Sequence, residues 1–279
     1  PLDLWICRSP TPEGIWLGFV ASGIVAAVVA AVWFESGSWR DGNLTDDVTR
    51  GGGSLFPDTG IDSGDRHAAD FIVDAAREHP GELTLVCIAP LTNVALALRK
   101  EPDLGDLLAS VWVMGGNVNC LGNVTPAAEY NFWVDPDAAK VVLNELDVTL
   151  FDWGLTLRDT TFDSDTLARI DAIDTAYADF YTEVTTQVRA FNRESSDEDI
   201  TTQPDSAVVA GLIDPDLIRE SHTYHVDVDE REGLTRGYSA VDEDGVGDGD
   251  PRTEVVASLD AEGFRALLVR MLENGNPDP

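Results

Sequence analysis

Asn123, Glu129 and Asn131 fall within nine residues in the stretch GNVTPAAEYNFWVDPDAA (122–139), which runs into the helix-start pair Asp135-Pro136. Two amides and a carboxylate supply hydrogen-bond donors and acceptors but no nucleophile. That inventory suits gripping a polyol such as a sugar. A polar loop whose side chains bond to its own backbone would use the same residue types. The elements that carry the stretch have to decide between the two.

Those elements alternate regularly from residue 67. In HAADFIVDAAREH (67–79) the spacing puts Ala69, Ile72, Val73 and Ala76 on one helical face, and Pro80-Gly81 ends the helix. LTLVCIA (83–89) and SVWVMGG (110–116) are continuous apolar runs of strand length, as expected of strands covered on both faces. NVALALRK (93–100) reads as a helix. Asp135 at N-cap and Pro136 at N1 open another, through Leu146. VTLFDW (148–153) reads as a third strand, 164–192 as one long helix and 205–212 as a short one. Strands near 223–229, 236–242 and 253–259 precede an amphipathic helix over 261–273. The alternation predicts an α/β, three-layer domain with a mostly parallel central sheet. In such sheets ligands bind at the carboxyl ends of the strands. IAPLTN, GGNVNCLGNVTPAAEYN and QPDSAVVAGLIDP, the last carrying Asp205, fall at such places. Taken alone, Asp205 also reads as a helix N-cap, and Gly115-Gly116 as a tight turn.

Composition narrows the partners. Against 18 basic residues stand 51 acidic ones, a net charge of −33 over 279 residues. Phosphate backbones need basic patches, so nucleic acid is excluded as a partner. The acid is spread along the chain, as in NRESSDEDI and HVDVDEREG, and fits a halophile's cytoplasmic protein, in which concentrated salt screens self-repulsion. Cys7, Cys87 and Cys120 are odd in number and lack metal-ligand spacing, which argues against a disulfide framework and a zinc site. His67, His79, His222 and His225 form no ligand pair.

The N-terminal residues 1–50 are atypical. GIWLGFVASGIVAAVVAAVWF (14–34) carries no charge and, as a helix, would span about 31 Å, close to a bilayer core. It is a candidate membrane anchor, weighed against a buried strand–helix pair and against a segment foreign to the domain. Residues 35–66 read as loop. The remaining 51–279 form the expected domain.

The order GELTLVCIAPLTNVALAL, VWVMGGN, GNVTPAAEYNFWVDPDAA resembles the calcium-dependent nucleoside hydrolases of the inosine–uridine-preferring type, from about Gly52 to the C-terminus. The resemblance implies the nucleoside hydrolase variant of a Rossmann-like fold, and cleavage of the N-glycosidic bond of ribonucleosides to base and ribose. It implies that Asn123, Glu129 and Asn131 hold the ribose hydroxyls, that Asp205 and the backbone carbonyl of Ile88 are ligands of Ca2+, and that the chain forms a homo-oligomer, dimer or tetramer. The chemistry is coherent: calcium takes hard oxygens, and carboxylates beside the sugar stabilise an oxocarbenium-like transition state.

Two features depart from that pattern. The family's N-terminal motif of the form DTDPGxDDA, which supplies most of the calcium shell and the base that activates water, is not found, so no catalytic base is assignable. PDTGIDSGD (57–65), with Asp58, Asp62 and Asp65, is rejected as its equivalent because no apolar strand leads into it. Asn43 is a weak counterpart of another ribose-binding residue. Family members active on inosine often carry a His before the calcium-binding Asp, whereas this chain has Pro204; Trp133 or Trp153 would be left to stack a base. One calcium carboxylate and one carbonyl predict weak calcium binding and little turnover. The alternative is a noncatalytic ribose- or nucleoside-binding relative, membrane-anchored through 14–34. A cluster of carboxylates facing Asp205 would discriminate the two.

Overall fold

The computed structural model describes residues 4–8 and 67–274. The apolar segment 14–34, Asn43 and the aspartates at 46, 47, 58, 62 and 65 lie outside the described residues. Among the described residues no helix is long and apolar enough to cross a membrane.

These residues fall into two compact units, one holding 4–8, 67–161 and 202–264, the other 162–201 and 265–274. The first is built on a seven-stranded sheet. Its strands are β1 (Leu4–Arg8), β2 (Leu83–Cys87), β3 (Ser110–Met114), β4 (Val148–Phe151), β7 (Ile218–Val228), β8 (Ser239–Asp242) and β9 (Thr253–Leu259); the two-residue strands β5 (Thr161–Phe162) and β6 (Thr201–Thr202) are not part of it. The spatial order is β1-β2-β3-β4-β9-β7-β8. The centre, β2, β3, β4 and β9, is parallel, whereas β1 pairs antiparallel with β2 over Leu4↔Cys87 to Arg8↔Leu83. At the other side β7 runs antiparallel to both β9 and β8. A mostly parallel α/β sheet was the sequence expectation; the antiparallel pairing at its two sides and the strand in LWICR were not.

Both faces are covered, which explains the unbroken apolar runs. Val111, Val113, Val148 and Leu150 join the core formed with helices α1 (Ala68–Glu78), α2 (Thr92–Lys100) and α5 (Pro136–Glu145). Ala69, Ile72, Val73 and Ala76 of α1 are buried there, as their spacing predicts. The alternate residues of the pleat, Trp112 and Phe151, face the other side, where their rings lie 5.8 Å apart. Helix α9 (Pro204–Ile213) packs on β3 and β4, and α6 (Trp153–Asp159) on β9. Cys87 is buried in β2 and its thiol is pushed up to about 12 by burial, as expected of a cysteine that only packs.

Three expected elements differ. The third strand stops at Phe151, because the Asp152 carboxylate accepts from Gly154 N and Leu155 N and starts α6. The single helix expected over 164–192 is two, α7 (Ser164–Asp171) and α8 (Ala176–Ser196). The chain breaks at Ala172–Thr175, where the Thr175 hydroxyl caps α8 by accepting from Ala178 N at 3.2 Å. A short helix, α4 (Tyr130–Val134), precedes α5 where a loop was expected. In the second unit Arg189 of α8 is buried and clamps two carboxylates, Asp171 at 2.8 and 3.0 Å and Asp199 at 2.9 Å through both Nε and Nη2.

Candidate functional site

The first unit places Glu129 and Asn131 at the end of β3. Met114 is followed by Gly115 and Gly116, and a Cβ at Gly115 would stand 2.4 Å from the Phe132 ring. Gly116 has φ +69°, and a Cβ there would meet Ser239 Oγ at 2.5 Å and the Phe132 ring at 2.7 Å. Both glycines are demanded by the fully buried Phe132, which fills the space that two side chains would take.

Glu129 is the N-cap of α4 and is 2% exposed. Its carboxylate accepts from three main-chain N–H groups: Gly116 at 2.9 Å, Asn131 at 2.9 Å and Phe132 at 3.3 Å. Those donors favour the charged form, but burial outweighs them and pushes Glu129 up to about 7. Asp205 lies at the second position of α9, 2% exposed. Gln203 holds the N-cap position, so Asp205 is not the cap its sequence position allowed. Its Oδ2 is buried with no hydrogen-bond partner among the described residues. Burial first, then the Glu129 charge, raises Asp205 well above the ordinary carboxylate range. Two buried carboxylates that repel each other, one with an orphaned oxygen, form a donor set that suits a hard cation. Among the described residues no group of three or more His, Cys, Asp or Glu side chains is placed to hold a metal. Ile88 is buried one residue beyond β2, beside the end of β3, and could contribute only main-chain oxygen.

The two amides are placed differently. Asn131 is buried next to Glu129, and its Nδ2 donates to the Met114 carbonyl at 3.1 Å. Asn123 is exposed, and its Oδ1 accepts from Tyr130 N at 2.9 Å. The side chains of the stretch do bond to its own backbone, and in doing so they hold the buried Glu129 carboxylate in place. Trp133 and Trp153 are half-buried.

Sequence reasoning missed Asn117, Asp152 and Ser239. Asp152 is buried, its Oδ2 accepts from Val118 N at 2.6 Å, and burial raises its pKa. Ser239 Oγ accepts from Asn117 N at 3.2 Å. The available signal was an Asp ending an apolar run, in TLFDW, which is a helix cap as often as a strand residue.

The family described as inosine-uridine preferring nucleoside hydrolase matches the chain over residues 28–266. An inosine-uridine preferring nucleoside hydrolase of Leishmania major is 32% identical over 227 residues, 76% of this chain and 67% of that protein. The pyrimidine-specific ribonucleoside hydrolase RihB of Escherichia coli is 30% identical over 203 residues, 72% of this chain and 64% of that protein. The chain thus spans about two thirds of the length of these curated relatives. Among solved structures, a plant nucleoside hydrolase superposes with a TM-score of 0.74 at 25% identity, covering 80% of this chain and 72% of that one. An inosine-guanosine nucleoside hydrolase gives 0.69 at 28% identity, with 76% and 69% covered.

Proposed function

The chain belongs to the inosine-uridine preferring nucleoside hydrolase family, and from that premise we propose that it hydrolyses the N-glycosidic bond of ribonucleosides to base and ribose. The observation that carries the reading to this site is the buried Asp205 carboxylate, one oxygen unpartnered, set beside the buried Glu129. A noncatalytic relative is the less favoured reading.

Asp205 and the carbonyl of Ile88 would hold Ca2+, which when bound fixes ribose hydroxyls and a reactive water. Glu129 is held by main-chain donors in a dry site, where its negative charge opposes the positive charge that grows on the sugar as the bond breaks. Asn131 commits its NH2 to Met114 and presents its carbonyl oxygen to a sugar hydroxyl. Asn123 commits its oxygen to Tyr130 and presents its NH2. Pro204 carries no acid to protonate a departing base. Two assigned ligands fall short of the roughly six to eight oxygens calcium takes, so weak affinity is expected of them; calorimetry giving micromolar affinity would show a fuller shell. The protein would work in the cytoplasm, in concentrated salt, as a homo-oligomer.

The test is ribose release from inosine and from uridine in molar potassium chloride, with and without a chelator. Slow release, sensitive to the chelator, is expected. A folded chain that releases none from either substrate would refute the reading.

A further inference from the structure

Asn117 follows Gly116 directly, is 2% exposed, and has its main-chain N–H and both ends of its side-chain amide engaged. Its N–H donates to Ser239 Oγ at 3.2 Å, its Nδ2 to the Cys120 carbonyl at 3.0 Å, and its Oδ1 accepts from the N–H of Glu129 at 3.2 Å. The partners fix the amide's orientation, since a carbonyl faces its NH2 and an N–H faces its oxygen.

Glu129 begins helix α4 and accepts from the N–H groups of Asn131 and Phe132. An N-cap residue has a main-chain N–H of its own to satisfy. In a capping box the side chain three residues on accepts it. Here that position is Phe132, whose ring accepts nothing of the kind and instead packs against Gly115 and Gly116. Asn117, twelve residues upstream, stands where the missing acceptor should be. Gly116 and Asn117 therefore grip Glu129 at two points: one N–H on the carboxylate, one amide oxygen on the main chain.

We infer that Asn117 is a positioning residue for Glu129: it completes a capping box across the loop and so fixes where the Glu129 carboxylate stands. The inference rests on the reading of Glu129 as a substrate-facing group, and Asn117 itself touches no reacting atom. Burial gives the arrangement its force, because a buried N–H that loses its acceptor has no water to turn to.

The test is amide hydrogen exchange at Glu129, read by NMR beside ribose release, in the full chain and in N117A and N117D. Asp at 117 keeps the acceptor oxygen, and Ala removes it. Protection of the Glu129 N–H and kcat/KM should each fall about tenfold or more in N117A, the scale of one lost hydrogen bond, while N117D keeps the protection. A Glu129 N–H unprotected in the wild type, or equally protected in N117A, would overturn the inference. So would lost protection with unchanged kcat/KM. If N117A does not fold, the wild type and N117D still decide, since N117D must retain the protection. Absence of ribose release from the wild type would refute the functional reading, and the exchange result would then decide the capping role on its own.

Discussion

At the scale of single residues the site is a contest between burial and charge. Glu129 is pushed up to about 7 and Asp205 is raised well above the ordinary carboxylate range, both mainly by burial. A folded carboxylate that holds its proton more tightly than the unfolded chain loses stability as pH rises between the two values. In chelator, therefore, Tm should fall as pH rises from about 5 to about 8, and E129Q, which cannot ionise, should flatten that slope. Calcium should flatten it too, by pairing with the charges. D205N should abolish a calcium-induced rise in Tm while leaving Tm in chelator unchanged or higher, because the amide removes a buried charge. Thermal melts over a pH series with and without calcium measure all three; a wild-type Tm in chelator that climbs over that range would contradict the assignment. Asn123, Glu129, Asn131 and Asp205 were singled out through the family resemblance of the stretches that carry them, because their types and spacing alone also fit a polar loop and a helix cap. The unpartnered oxygen of Asp205 was not legible, since it follows from what packs around α9 rather than from any neighbour along the chain.

At the scale of elements, the turn after β3 is the point of least tolerance. Gly116 combines positive φ with two neighbours inside contact distance. G116A should cost about 2 kcal/mol or more, from backbone strain plus overpacking. Truncating the fully buried Phe132 to Ala should cost about 3–5 kcal/mol. Urea denaturation reads both, and a cost for G116A under about 0.5 kcal/mol would mean that Phe132 and Ser239 yield easily. Periodicity revealed α1, which buries one regular stripe, whereas α5 was legible from its Asp-Pro start and the parallel strands from continuous apolar runs. It failed at Phe151-Asp152 and at Ala172–Thr175, where one side-chain oxygen ends or starts an element against a hydrophobic pattern that continues. It also failed at α4, whose five residues are too few to show a period.

At the scale of the whole molecule, charge dominates. A net −33 repels itself, and salt shortens the range of that repulsion from about 10 Å at 0.1 M to about 3 Å at 1 M. Tm should rise between those two concentrations of potassium chloride; a chain equally stable in both would contradict the halophilic reading. Acid acts through a different set of groups. Arg189 holds Asp171 and Asp199 below the usual carboxylate range, so their contribution is present above about pH 4 and is lost as pH falls through their lowered values. R189M should remove that part of the acid sensitivity, as pH-jump unfolding would read. The charge excess could be counted from the sequence, but the clamp on Arg189 could not, because Asp171 stands 18 residues before it on another helix.

The antiparallel pairing of β1 with β2 has a consequence for solubility during synthesis. Leu4–Arg8 occupies the open side of β2, whose main-chain N–H and C=O groups would otherwise form a bare ribbon at the sheet margin. A nascent chain makes LWICR first and its partner LTLVC some 75 residues later, by the register Arg8↔Leu83. In that interval LWICR is short, largely apolar and unmatched, a template for the same segment of another copy.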